Sequence, residues 1–380
     1  MKVLHLISGG DKGGAKTHVL ILLKRLIKEG IDVELLCIME GSFTEDARKL
    51  GIPIKIIPQN KRYSLKPIFE IKKYIKENKF DIVHCHGARA NYIAFFIKNS
   101  LKIPFITTMH SDYKLDFKDS FYKQAIFMPI NAIALKKFDY ILPVTKAFKN
   151  MLIERGFKEE KMFIIYNGIN FENEIKIIPK KEFFEKYNIP LKEDYIYIGL
   201  AARLQAVKGI EHFLQGCKIL LEKNEKVIFL IAGTGVLEKS IKSFIKQNNL
   251  QNNIKLLGFV KDINSFYNAI DINMLTSYSE SFPYSLLEGA RMKKATIATN
   301  VGGIGEMIKD FETGLLIKPY NSFDIAEKLQ ILINNKSIMS ELGQNFYKDV
   351  FENFSDFEMA KKHIEIYKKI LKETSNEKNY

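Results

Sequence analysis

Two carboxylates with seven residues between them, Glu280 and Glu288 in LTSYSESFPYSLLEGARMKKATIATNVGGIGE, are the residues whose type and spacing speak most directly of chemistry. A carboxylate accepts paired hydrogen bonds from neighbouring hydroxyls, so one before a Phe-Pro turn and another further along suit a site that reads diols. Arg203 and Lys208, in AARLQAVKGI, can bring a guanidinium fork and an ammonium around one diphosphate. Cations so placed neutralise the charge that grows as a nucleoside diphosphate departs, which is leaving-group chemistry without a metal. Near the N-terminus, Gly9-Gly10 and Gly13-Gly14 in SGGDKGGA leave backbone N–H groups and a positive helix end open to an anion. Taken singly, acids and loop cations at such spacings are usually only solvated. Their shared position after apolar runs is what singles them out.

Those runs define the scaffold. KVLHLIS (2–8) reads as a buried strand and THVLILLKRLIKEG (17–30) as a helix ending at Gly30. Further strands are expected at VELLCIM, IKIIP, FDIVHCH, PFITTMH, YILPVT and FIIYNG. A polar stretch, FENEIKIIPKKEFFEKYNIPLKED, reads as a linker region. A second series then follows at YIYIGLAARL, VIFLIAG, IKLLGF, INMLTS, ATIATN and GLLIKP. Strands alternating with helices predict doubly wound parallel sheets, one per series. The tail 354–373 has helical periodicity.

At 380 residues the chain exceeds one typical core and is sized for two domains. It contains no run of eighteen apolar residues and no signal-peptide pattern, so a cytoplasmic location is expected. Three scattered cysteines, Cys37, Cys85 and Cys217, are too few for a disulfide framework or a thiolate zinc site and read as buried free thiols. The net charge of +14 is uneven: residues 1–170 hold 29 Lys and Arg against 17 Asp and Glu, a balance of +12, and the rest carry +2. Such a field concentrates anionic partners and contributes about 1 kcal/mol per basic residue beside an acidic membrane. A phosphate-bearing substrate fits it equally well. A lysine-rich composition loading solvated helices is the plain alternative. No aromatic-basic motif supports nucleic acid.

Other chemistries lack their signatures. GGDKGG is not G-x-G-x-x-G, so a nicotinamide cofactor is disfavoured, and no G-x-S-x-G elbow indicates a hydrolase. His84 and His86 share one strand face, but the sequence sets no third ligand beside them, and packing or acceptor contacts are expected. A lone histidine such as His110 is more often structural than catalytic.

Taken together, GGDKGGA, DIVHCHG, TTMHSD, ARLQAVKG, SESFPYSLLEGA, ATNVGGIGEMI with TGLLIKP, and the closing helix resemble glycosyltransferase family 4, the retaining sugar-nucleotide transferases of GT-B fold. The resemblance covers nearly the whole chain. It implies two Rossmann-like domains facing across a cleft: an N-terminal acceptor domain at 1–170, onto which a C-terminal helix at about 356–380 packs back, and a nucleotide-sugar donor domain at 190–355. By the same resemblance, Glu280 holds donor-sugar hydroxyls, Glu288 grips the ribose diol, and Arg203 and Lys208 clamp the diphosphate. His110 would lie near the reaction centre and Gly14 near the diphosphate. The backbone around Phe282, Tyr284 and Ser285 would face sugar and phosphates, and Gly258 to Val260 would border the base. AGTG (232–235) and the bulky Tyr284 depart from the common pattern, which bears on donor choice.

The implied activity is retaining transfer from a nucleoside diphosphate sugar, UDP-linked, to an acceptor hydroxyl in cell-surface polysaccharide or glycolipid synthesis. No cofactor or metal is expected. The acceptor would be a saccharide, or polyprenyl-linked or lipid, with peripheral docking at the inner membrane face. A GT-B epimerase or phosphorylase would use the same cleft, and a non-catalytic anionic-surface binder would use only the basic half.

Overall fold

The computed structural model describes residues 1–11, 13–59, 64–114, 121–172, 175–224 and 226–377. Lys12 of the glycine loop, Asn173 and Glu174 of the polar stretch, and 378–380 of the tail lie outside them. The chain divides into two compact units, Met1–Asn170 with Asp356–Tyr380, and Phe171–Ser355.

Unit 1 holds a parallel six-stranded sheet built from β1 (Lys2–Ile7), β2 (Asp32–Cys37), β3 (Ile54–Ile56), β4 (Ile82–His86), β5 (Phe105–Met109) and β6 (Tyr140–Pro143), ordered β3-β2-β1-β4-β5-β6. Unit 2 repeats that plan with β7 (Ile196–Ala201), β8 (Val227–Ala232), β9 (Ile254–Gly258), β10 (Ile272–Leu275), β11 (Ala295–Thr299) and β12 (Leu315–Ile317), ordered β12-β11-β10-β7-β8-β9. In each, the first strand adjoins the fourth. The strand order reverses there, and the loops diverge to leave a crevice at the carboxyl ends of the strands.

Strands buried on both faces need apolar side chains on both, which explains their unbroken apolar runs. In unit 1, Leu4, Leu6, Val83 and Cys85 face one layer of helices. Val3, Ile7, Ile82 and Ile106 face the other, which includes Leu22, Leu23 and Leu26 of the helix Gly14–Lys28. The terminal helix Asp356–Glu377 joins that second layer through Met359, Ile366, Tyr367 and Ile370. Its start is fastened by Asp356, whose N–H donates to Ile169 O (2.9 Å) and whose carboxylate accepts from Asn170 Nδ2 (2.6 Å).

Three expectations change. FIIYNG is not a seventh strand: it follows β6 through a single bridge, with Phe163 N–H donating to Ile141 O (3.2 Å) and Ile165 N–H to Pro143 O (3.1 Å). The first helix begins at Gly14, three residues early, because a glycine-flanked start needs no apolar residue. The polar stretch read as a linker carries the helix Lys180–Lys186, whose Phe183 and Phe184 are buried against Tyr197 and Phe266 of unit 2. Its two aromatics cover the sheet face opposite Phe213 and Phe229. Cys37, Cys85 and Cys217 are buried free thiols, and burial pushes the Cys37 thiol up to about 12.

Candidate functional site

In unit 2 the loops after successive strands lock onto one another at the reversal between β7 and β10. Gly209, at φ +62°, lies where a Cβ would meet Thr276 O at 2.0 Å, and Gly302, at φ +55°, where one would meet Glu280 O at 1.8 Å. Only glycine tolerates both the positive φ and the approach. Tyr278 N–H donates to Val207 O (2.8 Å), Thr276 Oγ1 to Lys208 O (3.1 Å) and Gly303 N–H to Ser281 O (3.0 Å). These bonds fix Lys208 and Glu280 side by side. The Lys208 ammonium donates to Glu280 Oε1 at 2.5 Å, the same oxygen accepts from Ser277 Oγ at 2.6 Å, and both side chains are largely buried. An ammonium has three protons, so Lys208 keeps donors for a further anion while Glu280 holds it in place. Arg203, on the same loop as Lys208, is exposed and makes no ion pair among the described residues.

AGTG has a structural reason. Gly233 and Gly235 lie where a Cβ would meet Ala202 O at 1.9 Å and Leu204 O at 2.3 Å, so this turn packs directly on the Arg203 loop. Gly233 N–H also donates to Gly258 O (2.7 Å), tying it to the end of β9, where Val260 is buried.

Pro283 precedes the helix Tyr284–Arg291 and has no N–H, and the first N–H groups of that helix, at Tyr284 and Ser285, have no intrahelical acceptor. Phe282 is buried against Phe354 at 5.0 Å between ring centres, and Tyr284 is buried as well. Ser285 O accepts from Asn273 Nδ2 (3.1 Å), anchoring the helix to β10. Glu288 sits part-buried on this helix. Burial raises its pKa to about 7, against the opposing pull of Arg291 and the Tyr267 hydroxyl.

In unit 1, Gly9 (φ +90°) turns the chain after β1, where a Cβ would meet Met39 O at 2.2 Å. Gly13 caps the helix that opens at Gly14, with no side-chain cap, so its first N–H groups point outward. His110 follows β5. It lines a cavity of about 270 Å³ together with Asp11, His86, Thr108, Asn91 and Asn131. Burial raises the pKa of Asp11, with Gly9 N–H opposing as donor to its carboxylate (3.2 Å).

The neighbourhood of His110 is a histidine cluster that spacing alone does not reveal. Alternation places His84 and His86 on one face of β4, and β1 brings His5 opposite His84. Ring nitrogens of His5, His84 and His86 lie within 4.8 Å of one another, as do those of His18, His86 and His110. Both are donor sets of a kind metals use, but their nitrogens already share protons: His5 Nδ1 and His86 Nε2 are 3.0 Å apart, and His86 Nδ1 and His110 Nε2 are 3.3 Å apart. Burial, then neighbouring histidines, hold His5, His84, His86 and His110 well below the usual histidine range. They are neutral hydrogen-bonding groups. The expectation of packing for His84 and His86 fits, but His5, His18, Asp11 and Asn131 were not foreseen. The repeated alternation in HLIS and HCHG was the available signal.

Two parallel six-stranded Rossmann-like units in one chain form an α/β architecture of GT-B type. The profile of "Glycosyltransferase Family 4" matches residues 12–173, and that of "Glycosyl transferases group 1" matches 180–349. The chain is 32% identical over 341 residues to the glycosyltransferase MJ1178 of Methanocaldococcus jannaschii, covering 88% of each. The protein therefore belongs to the group 1 glycosyltransferases. It is also 24% identical, over 95% of its length and 97% of the relative's, to an N,N'-diacetylbacillosaminyl-diphospho-undecaprenol alpha-1,3-N-acetylgalactosaminyltransferase of Campylobacter jejuni. Among solved structures, a glycosyltransferase of Rickettsia africae superposes with TM-score 0.82 at 25% identity, covering 98% of each chain. Anabaena HepE in complex with UDP superposes with TM-score 0.83 at 18% identity, covering 97% of this chain and all of that one. No helix among the described residues is long and apolar enough to cross a membrane.

Proposed function

We propose that this glycosyltransferase moves a sugar from a UDP-sugar to an acceptor hydroxyl with retention of configuration, in assembling a cell-surface polysaccharide or glycolipid. The observation that carries the reading is the Lys208–Glu280 pair (2.5 Å), held by interlocked glycine loops at the strand reversal of unit 2, with Arg203 exposed on the same loop. In this reading Lys208 and Arg203 neutralise the departing diphosphate, so charge development needs no metal. Glu280 orients Lys208 and accepts from the donor sugar, and Glu288 accepts from the ribose diol. The first N–H groups at Tyr284 and Ser285 receive phosphate, and Gly258 to Val260 border the base. Unit 1 binds the acceptor, with the His110 imidazole and the N–H groups that open the helix at Gly14 as its polar groups. The departing phosphate oxygen takes the acceptor proton in a front-face displacement, so no protein nucleophile is required.

The relative named for an undecaprenol diphosphate substrate supports a polyprenyl-linked acceptor, as does a second named UDP-Gal:alpha-D-GlcNAc-diphosphoundecaprenol alpha-1,3-galactosyltransferase. An exposed apolar patch suits that substrate. On the helix Lys66–Glu77, Phe69 is 65% exposed and the preceding Leu65 is 50% exposed, with Lys66, Lys73 and Lys76 exposed around them. Exposed apolar side chains among mixed charges, with Glu70 and Glu77 exposed beside the lysines, suit a bilayer surface.

UDP-, GDP- and ADP-sugars screened for thermal stabilisation and for transfer to an undecaprenyl-diphosphate saccharide test the reading, with the anomeric configuration of the product read by NMR. UDP-sugars alone should turn over, with retention. A sugar nucleotide altered without any acceptor would instead identify an epimerase. Flotation with anionic liposomes should capture the protein at low salt, and Phe69→Asp should weaken capture.

A further inference from the structure

Among the histidines of unit 1, two have a proton position fixed by a carbonyl acceptor. His18 donates Nδ1–H to Asn167 Oδ1 (2.9 Å), and His363 donates Nδ1–H to Met359 O (2.8 Å). Among the described residues the others are linked only to one another and to hydroxyls, so their bonds can run in either of two directions. From the terminal helix inward, Tyr367 OH lies 2.6 Å from His84 Nδ1 and 3.5 Å from His5 Nε2. His84 Nε2 lies 2.7 Å from Thr108 Oγ1. His5 Nδ1 then meets His86 Nε2 (3.0 Å), and His86 Nδ1 meets His110 Nε2 (3.3 Å).

We infer that Tyr367 is a positioning residue: its single hydroxyl proton sets the direction of this chain of imidazoles and fixes which nitrogen of His110 carries hydrogen. A phenol is a better donor than an aliphatic hydroxyl or an imidazole N–H, so Tyr367 gives its proton to His84 Nδ1 in the short bond. Its oxygen can then only accept from His5, which requires His5 Nε2–H. His5 Nδ1 is left as acceptor and takes a proton from His86 Nε2–H. His86 Nδ1 in turn accepts from His110 Nε2–H. His110 Nδ1 is therefore a bare lone pair, an acceptor for a hydroxyl or amide hydrogen of substrate. Reversal of the Tyr367 proton would reverse every link and turn His110 Nδ1 into a donor. Burial keeps all the rings neutral, and a protonated ring would break the one-way order. Partners of this kind, one bond removed from a reacting group, commonly decide its tautomer and orientation.

The inference rests on the proposed role of His110 for its effect on turnover, but not for the tautomer itself. Full-length protein labelled with ¹⁵N-histidine reports each tautomer directly by long-range ¹H–¹⁵N correlation. In the wild type, His110 is expected with hydrogen on Nε2 and none on Nδ1. Tyr367→Phe keeps the ring in the core and removes the proton, so His110 should become a mixture of tautomers. Turnover of the UDP-sugar most active in the donor screen should fall about ten-fold with KM for that donor unchanged. His5→Phe interrupts the chain one link further in, leaving Tyr367 and its bond to His84 in place, and should reproduce both results. Hydrogen on Nδ1 of wild-type His110, or an unchanged tautomer in both variants, would overturn the inference. Full transfer by His110→Ala, with the tautomer results intact, would remove the catalytic reading and leave the relay standing.

Discussion

The two units share one strand order and put opposite electrostatics at the same topological point. Where β7 meets β10, unit 2 presents a paired ammonium and carboxylate and an exposed guanidinium. Where β1 meets β4, unit 1 presents rings of His5, His84 and His86 that burial keeps neutral. Topology fixes where a site forms, and the side chains decide whether it works by charge or by oriented neutral hydrogen bonds. Unit 2 would handle a charged diphosphate, for which a held counter-charge is useful. Unit 1 would handle an uncharged hydroxyl, for which a fixed lone pair is useful.

The contrast should be plainest under acid. His18 is lowered to about 4 and His363 to about 3, chiefly by burial, and His5, His84, His86 and His110 lie well below their usual value. The unfolded chain takes up these protons near pH 6.5 and the folded one does not, so their stabilisation holds above pH 6.5 and drains as pH falls. Each buried ring costs about 1.4 kcal/mol per pH unit in that window. Glu288 works the other way. Its folded pKa of about 7 exceeds the unfolded one, so acidification from 7 toward 4.5 favours the fold of unit 2. Hydrogen exchange at pH 5 and pH 7.5 should show unit 1 losing protection first, and equal losses in both units would break the comparison.

Charge chemistry in unit 2 predicts that Lys208→Ala lowers transfer about 10²- to 10³-fold, read as UDP release under saturating acceptor. Retained full activity would remove Lys208 from the clamp. Next in size, Gly302→Ala should destabilise unit 2 by about 1–3 kcal/mol, because its methyl group meets Glu280 O and its positive φ is strained. Denaturant melts check this, and a neutral result would mean the loop moves freely. Smallest is the pH response of donor binding. In the proposed role Glu288 accepts both protons of a diol only as carboxylate, so affinity for UDP-sugar should fall about ten-fold from pH 8 to pH 6 in the wild type and stay flat in Glu288→Gln. Calorimetric titration at both pH values decides it.

The strands and their loops were readable because doubly buried strands write continuous apolar runs, and the residues placed after them stand out against that background. FIIYNG shows the limit: its composition is that of a strand, but only two backbone bonds follow β6. The helix Lys180–Lys186 was hidden by its polar flanks, although Phe183 and Phe184 carried the burial signal. Spacing placed only His84 and His86 on one face of the histidine cluster, because His5, His86, His110 and Tyr367 meet through β1, β4, β5 and a helix some 250 residues away in the chain. The Lys208–Glu280 pair was legible as two separate residues and not as an ion pair, since the Gly209 contact and the bonds of Tyr278 to Val207 and Thr276 to Lys208 join loops far apart in the chain.

The return of the terminal helix to unit 1 has a consequence for synthesis of the chain. Unit 2 is one continuous segment, whereas one core layer of unit 1 needs Met359, Ile366, Tyr367 and Ile370, which follow unit 2 in the chain. On the ribosome, the unit that begins first is therefore completed last, reversing the usual N-terminal-first order. Until those residues emerge, its β1 and β4 histidines wait without Tyr367, so the half that would present His110 matures only after the half that would hold the nucleotide.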